Sequence, residues 1–336
     1  MTEDRPSRRT TITGWGTAVP GTVLTNAELE ELVDTSDDWI RERTGIRERR
    51  IAGPGETTAS LAIHAGAAAL KRAELTPNDI DLLIVATASP EQPIPHTGAF
   101  VADGLGMRCG SFDLGAGCSG FLYALVVANA MLVAKGAGRA LVIGSETLSR
   151  FTDPTDRGTC IIFGDGAGAV VLELAEVGSD RGLLAWDLAT DGSATDILGI
   201  FAGGSRMPPT ADTVAKREHF LHMTGSEVFR RAVRAVVASA GTVLDAAGVT
   251  AADVDWFVPH QANARIVDAA ATRLGIPDDR CVQNIDRYGN TSAASIPIAI
   301  EEAVEDGRIR DGDLVLLSGF GAGMTWGSAL LRWGRG

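Results

Sequence analysis

Short, uninterrupted apolar runs alternate along the chain with longer stretches of helical character. Residues 82–85 (Leu-Leu-Ile-Val), 140–143 (Ala-Leu-Val-Ile) and 169–172 (Ala-Val-Val-Leu) carry no polar alternation. That is the pattern of strands covered on both faces. Residues 60–71 and 229–247 read as helices. Strands alternating with helices in this way predict an α/β fold.

The order of elements also repeats. Asp79-Ile80-Asp81-Leu82-Leu83-Ile84-Val85 is echoed by Asp253-Val254-Asp255-Trp256-Phe257-Val258. The first copy leads through a helix to a Gly-rich turn holding Cys118-Ser119-Gly120, then a helix and the strand at Leu141. The second leads through a helix to Gly289-Asn290-Thr291-Ser292, then a helix and a strand at residues 314–317. Asp81 and Cys118 are 37 positions apart, Asp255 and Asn290 35. Each copy closes on a glycine turn: Gly164-Asp165-Gly166-Ala167-Gly168 and Gly319-Phe320-Gly321-Ala322-Gly323. At 336 residues the chain exceeds the ~250–300 at which one core stops growing. Two core-sharing halves, 1–176 and 177–336, are therefore expected, with both glycine-rich turns at their shared seam.

Composition narrows the function classes. A net charge of −13 argues against general nucleic-acid binding, which requires excess Lys and Arg. Four cysteines are too few for a disulfide scaffold and lack metal-ligand spacing, so a reducing cytosol is expected. Ser7-Arg8-Arg9 hints at a twin-arginine signal, but Gly14, Trp15 and Gly16 stand where an apolar segment should follow, and export is rejected. Residues 114–134 carry no charge; with no second such segment, they read as a buried core helix rather than a membrane span.

Cys118 follows a strand and opens that apolar helix from a turn with Gly115, Gly117 and Gly120. A thiol at a helix N-terminus meets a partial positive charge that favours thiolate, so Cys118 is the candidate nucleophile. Cys109, Cys160 and Cys281 read as core cysteines. Pro259-His260-Gln261-Ala262-Asn263 sits at the C-terminal end of a strand, where α/β sheets bind ligands. Duplication would bring Asn290 opposite Cys118. His219 and His222 have the spacing of a helical metal pair, but no third ligand follows, and they read as surface residues.

On Trp39-Ile40-Arg41-Glu42-Arg43-Thr44-Gly45-Ile46, Gly117-Cys118-Ser119-Gly120-Phe121, Asp153-Pro154-Thr155-Asp156-Arg157-Gly158-Thr159, Phe163-Gly164-Asp165-Gly166-Ala167, Val258-Pro259-His260-Gln261-Ala262-Asn263 and Gly289-Asn290-Thr291-Ser292-Ala293-Ala294-Ser295, nearly the whole chain resembles the β-ketoacyl-acyl-carrier-protein synthase III family. The resemblance implies a thiolase-like fold, two pseudo-symmetric α/β halves forming a five-layered core. It implies an acyltransferase that loads an acyl group from acyl-CoA onto Cys118 and condenses it with malonyl-acyl-carrier protein to begin fatty-acid synthesis. His260 and Asn290 would stabilise the enolate, and the backbone N–H groups of Cys118 and Ala322 the second oxyanion.

By the same resemblance, Trp39 and Arg157 would sandwich the CoA adenine, with Arg43 and Asn263 along the CoA and pantetheine path. Arg230, Arg234 and Arg265 would form a cationic rim for an acidic carrier protein. A cytoplasmic homodimer is expected, with no metal and no cofactor beyond the substrates. Thiolases use a second cysteine, absent from residues 318–326, and hydroxymethylglutaryl-CoA synthases a glutamate base, absent from both motif turns. Gly115, Gly117 and Ala322 depart from the family pattern, which leaves the acyl pocket open to a different chain-length preference. Three other readings stand beside this one: a polyketide-starter or other acyl-transferring relative, a Cys-His-Asp hydrolase, since Ala116-Gly117-Cys118-Ser119-Gly120 loosely resembles a nucleophile elbow, and a non-catalytic acyl-CoA-binding protein.

Overall fold

The apolar runs become the middle strands of two large sheets. In the computed structural model, which describes residues 8–334, the strands of the first part are β1 (Thr10–Ala18), β2 (Thr22–Thr25), β3 (Glu48–Ile51), β4 (Leu82–Ala86), β5 (Gly110–Leu114), β6 (Arg139–Thr147) and β7 (Asp165–Leu174). The second part supplies β8 (Gly182–Thr190), β9 (Leu198–Gly199), β10 (His222–Met223), β11 (Trp256–Pro259), β12 (Leu314–Gly321) and β13 (Thr325–Arg332). Ser7 of the Ser7-Arg8-Arg9 stretch lies outside the described residues.

The first sheet has the order β1-β7-β6-β4-β5 and the second β8-β13-β12-β11. In the first, β4 pairs in parallel with β5 and β6, and β7 runs antiparallel between β6 and β1. In the second, β11 is parallel to β12, and β13 runs antiparallel between β12 and β8. An isolated parallel bridge from Phe257 to Cys281 occupies the place that β5 holds in the other sheet. The two sheets therefore repeat one order, as the echoed landmarks required. They come from separate lengths of chain, joined by residues 175–181.

Five layers follow from where the apolar faces are buried. Helices Thr58–Ala73 and Thr97–Leu105 cover one side of the first sheet. Helices Gly225–Ala247 and Ala264–Leu274 cover the far side of the second. Between the sheets lie Gly120–Lys135 and Ser295–Glu305, and the core around them draws on both halves, from Ile84 and Val142 to Val258 and Val315.

The segment Gly117–Lys135 is long and apolar enough to cross a membrane by composition. In the fold it is the central layer: Phe121, Leu122, Ala124 and Ala128 are 0% exposed. A helix apolar all round suits a position between two sheets. The sequence places the start of this helix at Cys118; the structure instead inserts a 3-10 turn over Gly117–Ser119, and the α-helix begins at Gly120.

Candidate active site

Two turns meet at the seam between the halves. Gly117–Ser119 precedes the helix Gly120–Lys135, and the 3-10 turn Ser292–Ala294 precedes the helix Ser295–Glu305. Glycines allow the approach. A Cβ on Gly144 of β6 would lie 2.1 Å from the Ala293 carbonyl oxygen, and one on Gly321 would lie 2.4 Å from the Cys118 backbone nitrogen. Any side chain at either position would push the turns apart.

Cys118, His260 and Asn290 open into one cavity of about 480 Å³. Its walls are largely apolar, including Ile161, Phe163, Leu198, Met223, Val228, Ile266 and Phe320. Trp39, Arg43, Asn263 and Arg265 also border it. A long, thin, mostly apolar arm ending in a reactive carbonyl matches such a space.

His260 follows β11, and its backbone N–H donates to the Ser318 carbonyl of β12 at 2.8 Å. Its ring is buried, edge-on to Phe320 with centroids 5.5 Å apart. Nδ1 lies 2.6 Å from Ser295 Oγ, while Nε2 has no hydrogen-bond partner among the described residues. Ser295 Oγ also accepts from the Gln261 N–H at 3.4 Å, which leaves its hydroxyl proton for Nδ1. The imidazole then carries its proton on Nε2, aimed at the cavity. Burial pushes the imidazole down to about 3, so it is neutral at physiological pH.

Asn290 is fixed by its backbone: its N–H donates to the Ile162 carbonyl at 2.9 Å, and its carbonyl accepts from Gly164 at 3.0 Å. Its side-chain oxygen accepts from the Ser292 N–H at 2.8 Å. The amide NH2 is therefore the end left for the cavity. Two neutral donors, Nε2–H and Nδ2–H, thus serve the same space, an arrangement that stabilises a developing oxyanion.

Cys118 departs from the sequence expectation. Burial pushes its thiol up to about 12; the Ser292 hydroxyl opposes the shift and the charge of Glu146 adds to it. The turn before the helix provides some positive potential, but loss of water around the sulfur outweighs it. Desolvation, the largest of these influences, favours the thiol form of Cys118.

The remaining sequence candidates divide. Asn263 caps the helix Ala264–Leu274 through the Arg265 N–H at 3.0 Å and donates to the Arg43 carbonyl at 3.0 Å. Trp39 and Arg157 do come together, but Arg157 lies 4.9 Å from the Trp39 ring centre and Arg43 5.2 Å. A flat ring held between two partners requires about 7 Å, twice a van der Waals contact. The expected sandwich is closed on itself, and Arg157 is tied at 2.8 Å to the Asp34 carbonyl.

Arg265 stacks over Phe229 at 5.7 Å. Arg230 is paired with Glu227, and the adjacent Arg231 with Asp191 at 3.0 Å, which reduces the cationic rim; Arg234 is exposed. Gly117 and Gly115 are absent from the cavity wall. Gly117 has φ +52, and a Cβ there would meet the Ala322 nitrogen at 2.8 Å. It serves the close approach of the Cys118 and Ala322 backbones, so its departure from the family pattern does not shape the acyl space. His219 lies 2.9 Å from Thr213 Oγ1, and His222 stacks on Phe201.

Sequence reasoning missed Ser295, the partner of His260, although it ends the quoted Asn290 motif. It also missed Glu146, fully buried near the end of β6, three residues beyond the apolar run 140–143. A carboxylate so close behind a run covered on both faces was the available signal.

Family models match two stretches: 3-Oxoacyl-[acyl-carrier-protein (ACP)] synthase III over residues 112–192, and its C-terminal part over 244–333. A curated β-ketoacyl-[acyl-carrier-protein] synthase III of Roseiflexus castenholzii is 51% identical over 326 residues, 97% of this chain and 98% of that protein. The crystal structure of the Thermus thermophilus synthase III superposes with a TM-score of 0.90 at 43% identity, over 97% of this chain and 100% of that one. The priming β-ketosynthase of the R1128 polyketide pathway gives 0.89 at 34% identity, over 100% of both chains.

Proposed function

This chain belongs to the β-ketoacyl-[acyl-carrier-protein] synthase III family, and from that premise we propose how its own residues carry out the family's condensation. It is an acyltransferase with the thiolase-like fold, and it initiates fatty-acid synthesis by joining an acyl primer to a malonyl unit. Acyl-CoA and acyl-carrier protein are the substrates that the family implies.

In the first half-reaction the Cys118 sulfur attacks the acyl-CoA carbonyl. The C–S bond to CoA breaks, and the thiol proton leaves with CoA, so the step is proton-neutral. In the second, malonyl-carrier protein loses CO₂, and the electron pair of the broken C–C bond becomes an enolate. His260 Nε2–H and Asn290 Nδ2–H hold its oxygen. The enolate carbon attacks the acyl-Cys118 carbonyl, whose oxygen is held by the N–H groups of Cys118 and Ala322. Collapse expels the Cys118 thiolate, which takes one proton from solvent.

One observation carries this reading: the unpartnered, buried Nε2 of His260 opens into the same cavity as the Asn290 amide and the Cys118 sulfur. The polar triad of a hydrolase would put an Asp at Nδ1, where Ser295 stands. Arg265 and Arg234 are the remaining positive charges for a carrier protein, with Arg230 available once Glu227 is displaced. Adenine would enter beside Trp39 by moving Arg157 aside. A cytoplasmic homodimer belongs to the same reading; the four cysteines are unpaired, which suits a reducing compartment.

The test is to incubate the protein with acyl-CoA and malonyl-carrier protein and follow CoA, CO₂ and the β-ketoacyl product. All three should form in equal amounts with ping-pong kinetics. Acyl-CoA hydrolysis independent of malonyl-carrier protein would overturn the reading in favour of the hydrolase.

A further inference from the structure

Glu146, the penultimate residue of β6, is 0% exposed and has no cationic partner within the salt bridges described. Each of its contacts is with a donor. Oε1 accepts from the Ala88 N–H at 3.0 Å, the Ser292 hydroxyl at 2.9 Å and the Ala293 N–H at 3.5 Å. Oε2 accepts from the Ser89 hydroxyl at 2.5 Å, the Thr87 hydroxyl at 3.3 Å and Ala88 N–H at 3.1 Å. Burial raises the carboxyl's pKa while these donors act against the rise. The ionised form satisfies every one of them; a protonated acid would turn its O–H toward another donor.

The carboxylate joins elements far apart in sequence. Thr87, Ala88 and Ser89 follow β4, while Ser292 and Ala293 form the turn after Asn290. Ser292 has φ +50, a left-handed conformation that a residue with a Cβ adopts only when its surroundings hold it. Two bonds hold it here: its hydroxyl to Glu146, and its N–H to the Asn290 side-chain oxygen at 2.8 Å. The second bond orients the Asn290 amide, and Gly144 lets the turn rest on β6.

We propose that Glu146 is a positioning residue for the decarboxylating half-reaction: by pinning the strained turn at Ser292, it keeps the Asn290 amide N–H aimed at the enolate oxygen. The inference rests on the roles given above to Cys118, His260 and Asn290. It separates the half-reactions, because acyl transfer to Cys118 draws on the backbone N–H groups and not on Asn290.

The test compares wild type, Glu146→Gln, Ser292→Ala and the double variant in both half-reactions: acyl-Cys118 formation by time-resolved intact mass, and CO₂ release from malonyl-carrier protein. Glu146→Gln should slow CO₂ release ~10–100-fold, because a misplaced donor costs on this scale. Acylation is not slowed, since the substitution removes a negative charge that holds the Cys118 thiol up. Ser292→Ala should slow CO₂ release by a similar factor and acylation as well, because its hydroxyl also bonds the Cys118 thiol. The double variant should be no slower than Glu146→Gln, since both changes cut one link. Completed acylation also certifies that a variant is folded. Should Glu146→Gln not fold, Glu146→Asp, which keeps the charge but falls short of the Ser292 hydroxyl, gives the same readout. Equal slowing of both half-reactions in Glu146→Gln, unchanged CO₂ release, or additive losses of CO₂ release in the double variant would each overturn the proposal while leaving the Cys118 assignment intact. Failure of wild type to form acyl-Cys118 would overturn both.

Discussion

His260 Nδ1, just after β11, and Ser295 Oγ, at the start of the helix Ser295–Glu305, lie 2.6 Å apart. That contact selects the tautomer with its proton on Nε2, the only imidazole form that can donate to an enolate while remaining neutral. Ser295→Ala removes the selection without touching the cavity wall. CO₂ release from malonyl-carrier protein should fall about 10-fold, the scale of losing a group that orients a ligand's second nitrogen. Acylation of Cys118 should change little. Equal loss in both steps would argue for a packing role alone.

The imidazole is buried and pushed down to about 3, whereas in the unfolded chain it titrates near 6.5. Below the unfolded value the unfolded state binds the proton and the folded state does not. The His260 contribution is thus fully present above pH ~6.5 and is lost progressively as pH falls toward 3. Melting temperature should drop between pH 7 and pH 5 in wild type, and the drop should be smaller in His260→Gln. Identical slopes for the two proteins would contradict the burial.

Burial also pushes Cys118 up to about 12. In the unacylated protein, the rate of Cys118 alkylation by iodoacetamide, followed by peptide mapping, should keep rising through pH 9, close to tenfold per unit. A plateau near neutral pH would show a stabilised thiolate instead.

The Trp39–Arg157 contact, 4.9 Å from ring centre to guanidinium carbon, must open for a nucleotide to enter. Trp39→Ala should raise KM for acyl-CoA ~2–5-fold, the loss of one exposed stacking contact, with kcat nearly unchanged. A thioester of pantetheine alone, lacking the adenine, should be insensitive to the substitution. An equal effect on both thioesters would remove the adenine from this place.

The fold was readable because its cause is local. Apolar runs such as residues 82–85 and 140–143 become β4 and β6, and the echoed landmarks become two sheets of one order. Cys118, His260 and Asn290 stood out through their glycine turns and strand ends. What escaped depends on contacts between distant parts of the chain. Glu146 meets a turn 146 positions away, and Arg157 closes onto Trp39 across more than a hundred residues. Charge state escaped for the same reason: a helix N-terminus is visible in sequence, but the desolvation that outweighs it at Cys118 exists only after packing. The need for glycine at position 117 was hidden too, because its φ of +52 and its close approach to the Ala322 backbone are likewise set by the assembled seam.

Covalent loading of one sulfur is the most direct question to put to the molecule. Intact-mass spectrometry after incubation with a panel of acyl-CoAs, followed by peptide mapping, should show a single added acyl group on Cys118 and none in Cys118→Ala. An unmodified wild-type mass with every acyl-CoA, or an acyl group that persists in Cys118→Ala, would remove the thiol from the centre of the chemistry.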